Sequence, residues 1–204
     1  MSSHADTCGY GAVILAAGAS RRLGALKQLL SWHGEPLVRR CARLAMDAGL
    51  WPVVVVLGAR ADEVRAVLAG MPLATVTNPA FAEGLGGSIR VGLHRLRVCA
   101  PDVKGAVFLA CDQPLVEPAH LGALAQAALA GDKPIAASAY GGTLGVPALF
   151  AASIFPELLK LPGDAGARRV IAREPGRVAS VPLPDGEVDV DTPEDWRRAL
   201  SVRK

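Results

Sequence analysis

The sequence predicts an α/β domain built on a mostly parallel, twisted sheet flanked by helices. Short continuous apolar runs recur along the chain, as expected of strands buried on both faces. Between them lie stretches of helical length with apolar residues at helical spacing. Glycine and proline punctuate the joints. Strands that alternate with helices in this way form parallel sheets with right-handed crossovers.

Residues 12–17, closed by Gly18, read as the first strand. Pro36 opens a helix that runs to Gly49, with Leu37, Cys41, Leu44 and Ala45 on one face. Proline in the first turn and glycine at the end are the usual boundaries of a helix. The β-branched run 53–57 is a second strand, 61–69 a helix and 74–77 a third strand. Residues 87–97 are helical, with Ile89, Leu93 and Leu96 on one face. A strand at 106–110 leads into Cys111-Asp112-Gln113-Pro114, followed by a helix at 117–130 and a strand at 134–139.

The second half is less regular. Gly141 and Gly142 form a turn before strand-like 146–150, and 163–173 is expected to be helical. Residues 178–181 and 188–190 read as short strands. Thr192 caps a last helix over 193–200, with Glu194 and Asp195 in its first turn, where negative charge suits the helix dipole. With no internal repeat, low-complexity stretch or linker, residues 1–204 are expected to form one domain, the first 11 being flexible.

A chain of 204 residues can bury a full core, and its 51% apolar and 20% charged content is that of ordinary globular proteins. The net charge of +3 is too small for a nucleic-acid surface, and the low aromatic content argues against a base-stacking platform. Cys8, Cys41, Cys99 and Cys111 form no CxxC pair, so they signal neither zinc nor a disulfide framework. His4, His33, His94 and His120 are isolated and suggest no metal site. The first residues lack an apolar signal region, and no run approaches the ~20 residues of a membrane span. The expected localisation is cytoplasmic.

The segment Leu15-Ala16-Ala17-Gly18-Ala19-Ser20-Arg21-Arg22-Leu23-Gly24-Ala25-Leu26-Lys27 carries the strongest chemical signal. Glycines admit an oxygen-rich ligand close to the backbone. Backbone N–H groups, a hydroxyl and cations then gather at the C-terminal end of a first strand, the edge where open parallel sheets bind ligands. That donor set matches a polyphosphate. The loop is neither a Walker A sequence nor a dinucleotide fingerprint. Its alternative is a surface turn with solvated cations.

Here the sequence resembles a family. LAAGASRRLGALK is similar to the LAAGxSxRxGxxK signature of nucleotidyltransferases related to molybdenum-cofactor cytidylyltransferase, and the resemblance spans nearly the whole chain. It implies a Rossmann-like nucleotidyltransferase fold. It further implies that Arg22 and Lys27 contact a triphosphate while Ala16, Ala17 and Gly18 pass close to base and ribose. Leu15, Ser20 and Gly24 belong to the same nucleotide-binding loop, whereas Arg21 falls at a variable position.

Nucleotidyl transfer develops negative charge on oxygens that magnesium commonly neutralises, held by one or two carboxylates. Asp112 ends an apolar strand at the same sheet edge, with a turn acid before proline as its alternative reading. In Val188-Asp189-Val190-Asp191-Thr192-Pro193-Glu194-Asp195 the two-residue period puts Asp189 and Asp191 on one face. Their alternative is solvation on an edge strand. The two segments resemble the family's metal-binding CDQP and C-terminal DxDTPED, which implies Asp112 and Asp191 as magnesium ligands and Asp189 as a weaker candidate.

Asn78 and Ser88 bracket a glycine-containing loop that resembles a further nucleotide-binding stretch, although Leu85 replaces its usual Met and Gly86-Gly87 is a departure. Gly145, Pro147, Asp164 and Arg168 fall in segments resembling G-x-P-x-x-F and GDxGAR, which implies that they frame an acceptor. The implied reaction is transfer of CMP from CTP to molybdopterin with release of pyrophosphate, with Lys27, Arg22 and Asp112 as the catalytic set. CTP is favoured over GTP because Ala17 stands where guanylyltransferase relatives have a second glycine. Guanylyl transfer, a sugar- or polyol-phosphate acceptor, and a non-catalytic nucleotide-binding accessory protein remain alternatives. A molybdoenzyme or its chaperone is the implied further partner, with neither nucleic acid nor membrane involved. A nicotinamide-binding oxidoreductase is disfavoured by the absent glycine fingerprint.

Overall fold

A computed structural model of the chain describes residues 9–131 and 133–202; of the expected flexible start, residues 1–11, the first eight lie outside them. Tyr10 and Gly11 already belong to the first strand, β1 (Tyr10–Ala16), which is buried along its whole length. A two-residue hairpin follows, β2 (Ser31–Trp32) and β3 (Glu35–Pro36), turning on His33 and Gly34 with φ of 50° and 86°. Then come α1 (Leu37–Asp47), β4 (Val53–Leu57), α2 (Ala61–Val67), β5 (Ala74–Thr77), α3 (Leu85–Cys99), β6 (Gly105–Ala110) and α4 (Pro118–Ala130). The chain finishes with β7 (Ile135–Tyr140), β8 (Thr143–Ala151), α5 (Phe155–Leu159), α6 (Arg168–Arg173), β9 (Val178–Pro182) and α7 (Pro193–Val202).

Seven strands form one sheet in the order β5-β4-β1-β6-β8-β7-β9. The chain winds outward from β1 to β4 and β5, then returns to place β6 on the other side of β1. The crevice between β1 and β6 is therefore a topological switch point, where open sheets of this kind bind ligands. The sheet is mostly parallel, as expected, but β8 runs antiparallel to both β6 and β7. Gly141 and Gly142, with φ of 52° and 71°, make a two-residue turn that can only return the chain as a hairpin.

Alternation along the strands builds two cores. On one face Ala12, Ile14 and Ala16 of β1 join Val53, Val55 and Leu57 of β4, covered by α1, α2 and α4. On the other, Val13 and Leu15 join Val54, Val56, Phe108 and Phe150, covered by α3, α5 and α6. The α3 helix lies close because Gly92 has no side chain: a Cβ there would meet Val13 at 2.5 Å and Val56 at 2.7 Å. A third, smaller cluster of Trp32, Leu37, Leu115, Val190 and Ala199 fixes α7 and the β2–β3 hairpin to the rest.

Two expected elements differ. Residues 188–190 are not a strand; this stretch has no strand neighbour, its Val188 and Asp189 N–H groups turn back to the Asp185 and Glu187 carbonyls, and Val190 N–H ties it to the Asp112 carbonyl at 2.9 Å. Helix begins at Arg168 rather than at residue 163, because the segment before it serves as a packing surface for α3: Gly86 N–H donates to the Gly163 carbonyl at 2.8 Å. The cap of α7 is as expected and reciprocal, with Asp195 N–H donating to Thr192 Oγ1 and Thr192 N–H to Asp195 Oδ2.

Phe150 is wholly buried edge-to-face against Phe108, ring centroids 5.7 Å apart. Phe150→Ala is expected to cost about 3–5 kcal/mol of stability, read from the denaturation midpoint in urea at unchanged slope.

Candidate functional site

A cleft of about 410 Å³ opens at the C-terminal ends of β1 and β6. Leu15, Ala17 and Gly18 form one side, Gly84, Leu85 and Ser88 a second, and Asp112, Asp189 and Arg168 close it. After β1 the chain makes a loop in which Ser20 and Gly24 take φ of 50° and 75°. It ends in a single 3-10 turn, Lys27–Leu29. Ser20 Oγ accepts the Lys27 backbone N–H at 3.1 Å, and Gln28 Nε2 donates to the carbonyls of Ala16 and Gly18 at 2.9 and 2.7 Å. The loop is thus tied down at both ends while Gly18 itself faces open space.

The Lys27 ammonium donates to Asp112 Oδ2 and, at 3.1 Å, to Asp191 Oδ1. Arg22 donates to the other oxygen of Asp191 at 2.6 Å. Lys27 and Asp112 are largely buried, whereas Arg22 is exposed, so the Arg22 pair is the weaker of the two links. Burial alone would push the Lys27 ammonium down, but the charge of Asp112 and the hydrogen bonds to Asp112 and Asp191 outweigh it, and Lys27 lies above the ordinary lysine range. Burial pushes Asp189 up to about 6, with the charges of Asp112 and Asp191 adding to it and those of Lys27 and Arg168 opposing. Asp189 and Asp191 sit either side of buried Val190, so the alternation expected of a strand holds in a segment that is not one.

Of the residues expected to bind nucleotide, Leu15, Ala17, Gly18, Lys27, Ser88 and Asp112 line the cleft. Ala16 does not; it is buried in the sheet and contributes only its carbonyl. Ser20 and Gly24 shape the loop, and buried Asn78 stands behind Ser88, donating to its hydroxyl at 3.0 Å. Of the expected acceptor residues only Arg168 lines the cleft. Gly145 is instead a spacer, because a Cβ there would meet the Tyr140 hydroxyl at 2.3 Å and Arg168 at 3.2 Å. Pro147 is buried with its carbonyl accepting from Ser138, and Asp164 is exposed away from the cleft.

The cleft also contains Phe81, Leu85, Gln113, Tyr140 and Val146, which the motifs did not single out as site residues. Gln113 adjoins Asp112 and could have been read from that neighbour. Tyr140 ends β7 opposite Thr143, and Val146 enters where the β7–β8 register shifts between Gly145 and Ala148, so that the Tyr140 hydroxyl donates to the Val146 carbonyl at 2.9 Å. Burial, then the charge of Asp189, raises the Tyr140 phenol, so it remains protonated. His120 is a satisfied histidine whose Nε2 lies 2.7 Å from Ser138 Oγ.

The acids suit a hard divalent cation, since all their donor atoms are carboxylate oxygens and one cation, the Lys27 ammonium, already bridges two of them. Among the described residues no three His, Cys, Asp or Glu side chains converge tightly enough to enclose an ion unaided.

A mostly parallel sheet with a glycine loop and a cleft at its switch point is the fold of the nucleotidyltransferases. The chain belongs to the MobA-like NTP transferase domain family, whose pattern it matches over residues 12–178. It is 33% identical to purine catabolism protein PucB of Bacillus subtilis, with 93% of this chain and 96% of that one covered. It is 34% identical to nicotine blue oxidoreductase of Paenarthrobacter nicotinovorans (92% and 95% covered) and 31% identical to molybdenum cofactor guanylyltransferase of Rhodobacter capsulatus (92% and 93%). Among solved structures it is similar to Rv0371c of Mycobacterium tuberculosis H37Rv, at 32% identity and a TM-score of 0.80, covering 95% of this chain and 98% of that one. A manganese complex of Rv0371c matches at 30% identity and a TM-score of 0.75, with the same coverage.

The Gly86-Gly87 departure has a steric basis at Gly86: a Cβ there would meet the Pro162 carbonyl oxygen at 2.0 Å. Gly86→Ala is expected to force α3 from the 162–165 segment and to cost about 1–3 kcal/mol, measured as a lowered denaturation midpoint.

Proposed function

We propose that this protein transfers CMP from CTP to a molybdopterin-type acceptor and releases pyrophosphate. The observation that supports this best is the meeting of Lys27, Asp112 and Asp191 beside the glycine loop. In the proposed reaction a phosphate oxygen of the acceptor attacks the α-phosphorus of the triphosphate. The bond from that phosphorus to the oxygen bridging the β-phosphate breaks, and pyrophosphate departs. The nucleophile is already anionic, so catalysis is positioning and charge neutralisation rather than proton abstraction.

Lys27 stays protonated throughout and neutralises the triphosphate, assisted by Arg22 from the rim. Leu15, Ala17, Gly18 and Ser88 border the base and ribose, while Arg168 and Tyr140 face the acceptor. A magnesium ion, when bound, would neutralise charge on the phosphate oxygens, held by Asp112 and Asp191. The manganese complex of the similar Rv0371c supports a divalent cation in this fold. Ala17, which is buried and borders the cleft, is the residue that favours CTP through the family pattern. A cytoplasmic location with a molybdoenzyme or its chaperone downstream fits this chemistry.

The guanylyltransferase relative supports GTP as the competing donor. The relative named nicotine blue oxidoreductase favours a second reading, redox chemistry in the same cleft. Hydride transfer gives the Lys27–Asp112–Asp191 cluster no evident task, and the dinucleotide fingerprint is absent.

The test supplies each nucleoside triphosphate, with magnesium and molybdopterin or sugar phosphates, and measures pyrophosphate release. CTP with molybdopterin is expected to be the best pair. Release with no combination, together with consumption of a reduced nicotinamide, would establish the redox reading instead. Asp112→Asn is expected to lower turnover about 100-fold or more with the fold intact, and chelation of divalent cations should have a comparable effect. Turnover undiminished in Asp112→Asn would remove Asp112 from the catalytic set.

A further inference from the structure

We infer that Gln28 is a positioning residue for the nucleotide site, acting through Lys27 and the glycine loop rather than by touching substrate. This rests on the triphosphate-binding reading of that loop. Gln28 is wholly buried, in the 3-10 turn that carries Lys27. Its Nε2 donates to the carbonyls on both sides of Ala17, those of Ala16 and Gly18, at 2.9 and 2.7 Å. The Ala17 carbonyl is taken by Ala59 N–H at 3.1 Å. The amide's other atom, Oε1, is buried without a hydrogen-bond partner among the described residues.

That last fact separates function from packing. A buried amide with an empty acceptor is less favourable than an apolar side chain of the same length, so filling the space does not by itself require glutamine. What the amide alone supplies is a donor for two carbonyls at once. Three consecutive carbonyls, residues 16–18, thereby have their negative ends held by protein donors instead of left free to meet a polyphosphate. The same two bonds clamp the turn bearing Lys27 onto the end of β1. With Ser20 Oγ holding the Lys27 backbone N–H, the lysine is anchored from both sides and its ammonium reaches Asp112 and Asp191.

The experiment compares Gln28→Met, which keeps length and removes the donor, and the milder Gln28→Asn with wild type, alone and in a Lys27→Met background. Binding of CTP and GTP with magnesium is measured by calorimetry, turnover by pyrophosphate release, and loop order by amide hydrogen exchange. Gln28→Met is expected to weaken triphosphate binding and lower turnover by about 10- to 100-fold, with the KM for the acceptor unchanged. Exchange should rise over residues 17–26 while the other strands of the sheet keep their protection. With Lys27 already replaced, Gln28→Met should change binding by less than about twofold, because the two residues act as one unit. Wild-type binding in both Gln28 variants, or full independent losses in the double variant, would overturn the inference. So would exchange rising uniformly across the sheet, the mark of a merely structural residue. Wild-type protein that binds a triphosphate but transfers nothing would sink the proposed function and leave this comparison intact.

Discussion

Two carboxylates from distant parts of the chain, Asp112 after β6 and Asp191 before α7, meet on one ammonium carried by the loop after β1. Like charges held this close repel, and in the folded chain Lys27 offsets that repulsion from a largely buried position. The arrangement needs all three segments in register. The parallel ladder between β1 and β6 sets the first two, pairing Leu15 with Ala110 just before the chain leaves the sheet on each side. The third depends on a separate device.

That device is the small cluster around Trp32 and Val190. Trp196 of α7 packs edge-on to Trp32, ring centroids 5.7 Å apart, and Val190 is buried among the same side chains. Burying the valine fixes which way its two neighbours face. The one backbone bond from Val190 to the Asp112 carbonyl then sets how far the segment stands from β6. The acid pair is thus oriented by apolar packing on its far side, a division of labour in which the core determines the charge geometry.

Much of this was readable from residue order. Runs such as 53–57, too short for a helix and rich in valine, fixed strands, and proline and glycine marked α1 to within two residues. The direction of β8 needed the conformation of Gly141 and Gly142, which composition alone does not supply. Residues 188–190 misled because an Asp-Val alternation is what an edge strand looks like, and only the absence of a neighbour strand separates the two. In the site, Asp112 is legible as a charge that ends an apolar run, and Lys27 as a cation of the glycine loop that resembles the family signature. Gln28 left no such mark, since a neutral polar residue beside a lysine gives no hint of being buried. Tyr140 and Val146 depended on hairpin register, and Gly145 looked like a contact when its role is to leave room.

The fit between α3 and the 162–165 segment carries a consequence for how this cleft can be altered. Gly84 and Gly86 lie against the backbone of that segment with no space for a Cβ, and a backbone hydrogen bond joins the two. Ser88 follows on one piece and Arg168 on the other, and both line the cleft, so two of its walls are parts of a single rigid rim. A substitution that reshapes one wall is transmitted to the other, and changes made on the two pieces will not combine additively. Changes to this cleft are therefore changes to the rim as a whole, and in the proposed reaction they would move donor and acceptor selectivity together.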